Sequence, residues 1–168
     1  MTEKIQEIIN KRAEYDKLVK TLQKEDLTKY FFKYFEEFGD ELVAIYIAMS
    51  TPGFNDGDPC TNRMHEPKIY TKTNILHLLE ETEETPDEEL PKTNDQFLAV
   101  ADEHKDSYDE LDYGSWEKSK RTPQQNRLRE ISSDCFSLQT ILEDKFGTDV
   151  GFFITKNDVK QREVYDRG

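Results

Sequence analysis

Positive charge is scarce in this 168-residue chain: 23 Lys and Arg stand against 36 Asp and Glu, a formal net charge of −13 at pH 7. That shortage argues against general affinity for DNA, RNA or an anionic membrane, because binding to phosphates and lipid headgroups draws on Lys and Arg. Cysteine is nearly absent, with only Cys60 and Cys135. There is no Cys-x-x-Cys and no His-x-x-x-His pair, which weakens a zinc reading, and a single Cys60–Cys135 bridge would need an oxidising compartment. Long apolar runs are also missing. The longest, residues 42–49, is far below the ~20 residues of a membrane span. Residues 1–22 are charged and amphipathic, unlike the apolar core of a signal peptide. These absences lead to the expectation of a soluble protein of the cytoplasm with reduced thiols.

Aromatic residues are not scarce. Ten Phe, eight Tyr and one Trp can build a core, and disordered chains are poor in such residues. Charged residues make up 35% of the chain, above the roughly 25% of an average soluble domain, and they are unevenly placed. Residues 80–112 hold fourteen acids against Lys92 and Lys105, a net −12, which leaves −1 for everything else. Such a segment is either a solvated acidic face or an electronegative surface for a basic partner.

Residues 1–23 predict an amphipathic helix. Met1, Ile5, Ile8, Arg12, Tyr15, Val19 and Leu22 recur in steps of four and three, with Ile9 and Leu18 widening the stripe. The helix is expected to pack on its own domain; a short dimerisation helix is the alternative. Residues 26–38 predict a second helix with Leu27, Phe31, Tyr34, Phe35 and Phe38 on one face, Asp26 as N-cap and Gly39 at its end. Residues 42–49 read as a buried strand and 64–71 as a weaker one. Thr73 should cap a short helix carrying Ile75, Leu76, Leu78 and Leu79, an acidic loop follows over 80–95, and 97–111 form a further helix. Thr122-Pro123-Gln124-Gln125 starts a helix that carries Leu128, Ile131, Cys135, Leu138 and Leu142 and ends near Gly147. Cys135 lies in that stripe as a buried, inert thiol. Residues 150–155 and 159–165, joined by Lys156-Asn157-Asp158, predict a β-hairpin. The expected fold is α+β: a small, mainly antiparallel sheet covered by helices, with 24–168 as a single domain behind the N-terminal helix.

The stretch 51–61, TPGFNDGDPCT, follows directly from the first strand. Its Gly, Pro, Asn and Asp residues suit a loop that is rigid in places and left-handed in others. Asn55, Asp56 and Asp58 offer hard oxygen ligands for calcium or magnesium, but the spacing is not that of a calcium loop and its terminal glutamate is missing. Cys60 and His65, with His77 or Cys135, are a weaker zinc set; Cys60 with His65 as nucleophile and base lacks an orienting third group. An Asx-turn network within the loop is the expected structure, so no cofactor and no metal are assigned.

Phe54-Asn55-Asp56-Gly57-Asp58-Pro59-Cys60 resembles a motif in a family of small bacteriophage proteins of uncharacterised function, where it follows a strand that often ends in Thr-Pro, as Thr51-Pro52 does here. The tail is similar too, in residues 142–147, the Val-Gly-Phe-Phe-Ile-Thr strand at 150–155 and a second strand ending at Tyr165-Asp166. This chain departs at Gly53, where a bulky residue is usual, and at Thr61-Asn62-Arg63, which replaces the expected strand start. The resemblance implies a phage protein acting in the host cytoplasm and carries over no catalytic residue.

Together these observations lead to a non-enzymatic binding protein that modulates or inhibits a host or defence protein, in a narrower version as a nucleic-acid mimic. Its partner would be a host protein with a basic surface, such as a nucleic-acid-binding protein, with no direct contact to nucleic acid or membrane. The chain itself would be a monomer or homodimer. Candidate contact residues are Glu83, Glu84, Asp87, Glu88, Glu89, Asp109, Glu110 and Asp112, with Tyr108, Tyr113 and Trp116 as aromatic anchors. The alternative is a metal-binding protein or enzyme that uses the carboxylates of the 54–60 loop.

Overall fold

In the computed structural model, residues 2–51, 61–82, 90–107, 111, 113 and 117–164 are described. The chain runs α1 (Thr2–Thr21), α2 (Asp26–Phe38), β1 (Leu42–Ser50), β2 (Arg63–Met64), β3 (Lys68–Thr71), α3 (Lys72–Thr82), α4 (Asn94–His104), α5 (Pro123–Phe136), α6 (Gln139–Phe146), β4 (Val150–Ile154) and β5 (Val159–Glu163). All strand pairs are antiparallel: β1 pairs with β4 on one side and with both β2 and β3 on the other, and β5 extends the sheet beyond β4. The expected α+β class and antiparallel sheet are present, and helices cover both faces of the sheet.

The two faces follow from strand alternation. Ile45, Ile47 and Met49 of β1 join Phe152 and Ile154 of β4 against α2, α5 and α6, through Phe31, Phe35, Ile131 and Leu142. Ala44, Tyr46 and Ala48 face the other way with Phe153, against Ile75 and Leu79 of α3 and Phe97 and Ala101 of α4. Simple alternation would put Leu42 on the Ala44 face, yet it packs with Ile45. A shift in the β1–β3 register between Leu42 and Ala44 changes the parity at that point, as a bulge does.

The aromatic helix forms as expected: Leu27, Phe31, Tyr34 and Phe35 are buried, and Gly39, at φ +58°, ends α2 by donating its N–H to the Phe35 carbonyl. Asp26 is not its N-cap. It is the first helical residue, and its Oδ2 accepts the Gln23 N–H at 2.9 Å. The predicted 64–71 strand is two short ones, β2 and β3, with Pro67 between them, since proline cannot donate to a ladder. Thr71 rather than Thr73 caps α3: the Thr71 Oγ1 accepts the Asn74 N–H at 3.1 Å, and the Asn74 Oδ1 accepts the Thr71 N–H at 2.9 Å. Thr73 instead gives its N–H and hydroxyl to Glu41 Oε1, at 3.0 and 2.6 Å.

The capping box at Thr122 and Gln125 is present with Pro123 behind it. The helix it opens is shorter than expected, because the stripe from Leu128 to Leu142 is shared between α5 and α6. The break sits at Ser137, whose hydroxyl bonds the Ser133 carbonyl at 3.2 Å, with a tight Leu138 N–H to Cys135 O turn behind it. Gly147, at φ +87°, ends α6.

The expectation that α1 packs on its own domain fails over its first half. Ile5, Ile8 and Ile9 are 54–66% exposed, and in the second half Leu18 is exposed too while Tyr15 and Val19 are half-buried. The helix is held near its end, where Tyr15 donates to Asp144 Oδ2 at 2.7 Å and the Lys145 ammonium donates to the Lys20 carbonyl at 2.7 Å. α1 therefore rests on α6 by its second half and presents its first half to solvent. Among the described residues, no helix is long and apolar enough to cross a membrane.

Candidate functional site

Two regions singled out by the sequence can be built from their described neighbours. The first is the acidic segment. Helix α4 lies inside it and starts with a capping box, in which Thr93 Oγ1 accepts the Gln96 N–H at 3.2 Å and Gln96 Oε1 accepts the Thr93 N–H at 3.1 Å. The helix turns Phe97 and Ala101 into the core. Its exposed surface carries Asp95 and Glu103, with Asp102 half-buried near the helix end and Asp106 just past the last helical turn.

These acids divide into two kinds. Asp102 accepts from the Lys105 ammonium at 2.7 Å, and Asp106 is paired with the Arg162 guanidinium and accepts the Tyr46 hydroxyl at 3.3 Å. Burial, with Asp106 beside it, raises the Tyr46 hydroxyl pKa above the ordinary tyrosine value. Lys105 also lies over the Phe153 ring, and Lys68 donates to the His104 and Ser107 carbonyls at the end of α4, where a cation meets the negative end of the helix dipole. Asp95 and Glu103 are exposed and take part in no ion pair among the described residues. Asp106 thus ties the end of α4 to β1 and β5, Asp102 is held locally by Lys105, and Asp95 and Glu103 face water. The cleft at the start of α4, about 260 Å³, is lined by Lys72 and Lys156 but also by Asp40 and Asp95, so it favours neither charge sign.

Of the expected contact residues, Tyr113 is the one described. Its ring packs against the core beside the α2 face of the sheet. Its hydroxyl accepts the Ile69 N–H at 2.8 Å and donates to the Pro67 carbonyl at 3.2 Å, and its own carbonyl accepts from Arg129 at 3.3 Å. Burial raises the pKa of that hydroxyl. Tyr113 spends its polar atom inside the fold, where it locks the start of β3. Glu83, Glu84, Asp87, Glu88, Glu89, Tyr108, Asp109, Glu110, Asp112 and Trp116 lie outside the described residues.

The second region is the loop after β1. Phe54, Asn55, Asp56, Gly57, Asp58, Pro59 and Cys60 also lie outside the described residues, but both stems are described. On the near stem, the Thr51 N–H donates to Asp149 Oδ1 at 2.8 Å. On the far stem, the Asn62 amide donates to Glu143 Oε1 at 2.9 Å, Gln139 donates to the same oxygen at 2.9 Å, and the Asp149 N–H reaches Asn62 Oδ1 at 3.4 Å. Asp149 does this from φ +58°, a left-handed conformation that Asp tolerates better than most residues. Asp149, Asn62 and Glu143 were missed by sequence reasoning, because each acts on a partner more than 80 residues away and no local spacing marks them.

His65, weighed above as ligand or base, places Nε2 2.5 Å from the Ser50 hydroxyl, and Ser50 is only 1% exposed. The pair ties the end of β1 to the far stem of the loop. Cys135 is fully buried, free, and its thiol is pushed to a higher pKa by burial, which suppresses the thiolate that nucleophilic chemistry needs. Among the described residues, no group of three His, Cys, Asp or Glu side chains is placed to hold a metal ion. No family model, curated protein or solved structure matches the chain.

Proposed function

We propose that this chain is a non-enzymatic binding protein that engages a basic partner protein through the acidic surface of residues 80–112. One observation carries the reading: α4 buries Phe97 and Ala101 while its Asp95 and Glu103 stay exposed and in no ion pair among the described residues, within the strongly acidic stretch 80–112. Concentrated charge of one sign destabilises a fold by self-repulsion and steers an oppositely charged partner. A net charge of magnitude about 2–8 already keeps a small domain soluble, and this one segment holds −12. The likeness to small phage proteins supports a host or defence protein as the partner, and a nucleic-acid-binding channel is the narrower target that such a surface would imitate.

The test is capture from bacterial lysate at low and high salt, with the bound proteins identified, using the full chain and two sets of variants. Neutralising the exposed Asp95 and Glu103 (Asp95→Asn, Glu103→Gln) together with the neighbouring acids of the sequence (Glu83, Glu84, Glu88 and Glu89→Gln) should slow association and flatten its salt dependence while the fold is retained. Asp102→Asn, which removes an internally paired acid, should leave association nearly unchanged. A specific partner captured equally well by all three proteins at low salt would show that the acids are only a solvated face.

A further inference from the structure

We draw no further inference here: the strongest candidate, the exposed isoleucine stripe of Ile5, Ile8 and Ile9 on the solvent-facing first half of α1, carries nothing because no feature of the structure shows what covers it.

Discussion

Replacing Gly151 by alanine tests the packing that joins the sheet to the acidic helix. Gly151 sits in β4 opposite Ala48 on one side and Arg162 on the other. An added Cβ would lie 2.8 Å from Val164 Cγ2 and 2.9 Å from the Tyr46 hydroxyl, against a comfortable carbon separation of roughly 3.5–4.0 Å. Neither neighbour can yield freely. Tyr46 is packed on Phe153 and bonded to Asp106, and the Val164 N–H is tied to the Asp149 carbonyl. Overpacking of this kind costs about 1–3 kcal/mol. Loss of glycine's freedom in the unfolded chain returns about 0.4–1 kcal/mol, so a net loss of about 1–2 kcal/mol is expected. For a chain of this size that lowers Tm by about 2–4 °C per kcal/mol. Urea unfolding should show a lower midpoint with an unchanged slope. Val164→Ala removes one of the two clashes, so Gly151→Ala with Val164→Ala should be less damaging than the sum of the single changes, by about 0.5 kcal/mol or more. A Gly151→Ala protein as stable as wild type, or strict additivity in the double variant, would refute the close approach.

The stability of the protein should fall as pH rises above 10.0, the ordinary tyrosine value, because Tyr34, Tyr46 and Tyr113 have raised native pKa values caused mainly by burial. The unfolded chain then loses protons that the native state keeps; the stabilisation is complete below the unfolded pKa and disappears as pH climbs through the native ones. Urea midpoints across that range, compared with Tyr46→Phe and Tyr113→Phe, check this, and a flat profile would contradict it. Thr122→Ala should cost about 1 kcal/mol through loss of the α5 cap, read by thermal melting, with Thr122→Ser close to wild type. Removing residues 1–12 should leave the unfolding free energy from urea titration within about 0.5 kcal/mol of the full chain, the ordinary range for surface changes, and a larger loss would mean the first half of α1 is part of the core.

The elements legible in the sequence are those fixed by local chemistry. The aromatic face of α2, the capping box at Thr122 and Gln125, and the glycine stops at Gly39 and Gly147 each rest on contacts within a few residues. Where reading failed, a distant or competing contact decided. Asp26 was diverted to the Gln23 N–H, and the Leu128–Leu142 stripe stayed in register across a break that a serine side chain introduced. The periodicity of α1 correctly gave a helix, but periodicity cannot say how much of an apolar stripe finds a neighbour, and here only Tyr15 and Val19 in the second half do so within the helix. At the candidate site, the charge of 80–112 was plain from composition. Its division into paired and unpaired acids was not, because Arg162 and Tyr46 come from strands far along the chain. Tyr113 looked like an anchor for a partner because aromatic residues next to acids are common at interfaces, yet its hydroxyl serves the backbone of β3.

The borders of the sheet bear on how a partner could hold this protein. One border consists of two residues of β2 and four of β3, interrupted by Pro67; the other is β5, where Lys160, Gln161 and Glu163 are exposed. Unpaired backbone on a long, flat, apolar border invites another chain to add a strand, and natural proteins suppress this with short or charged borders. Both devices are in place here. Along the described edges, strand addition, with main-chain hydrogen bonds that any sequence can supply, is disfavoured, and so is edge-to-edge pairing of one copy's sheet with another's at high concentration.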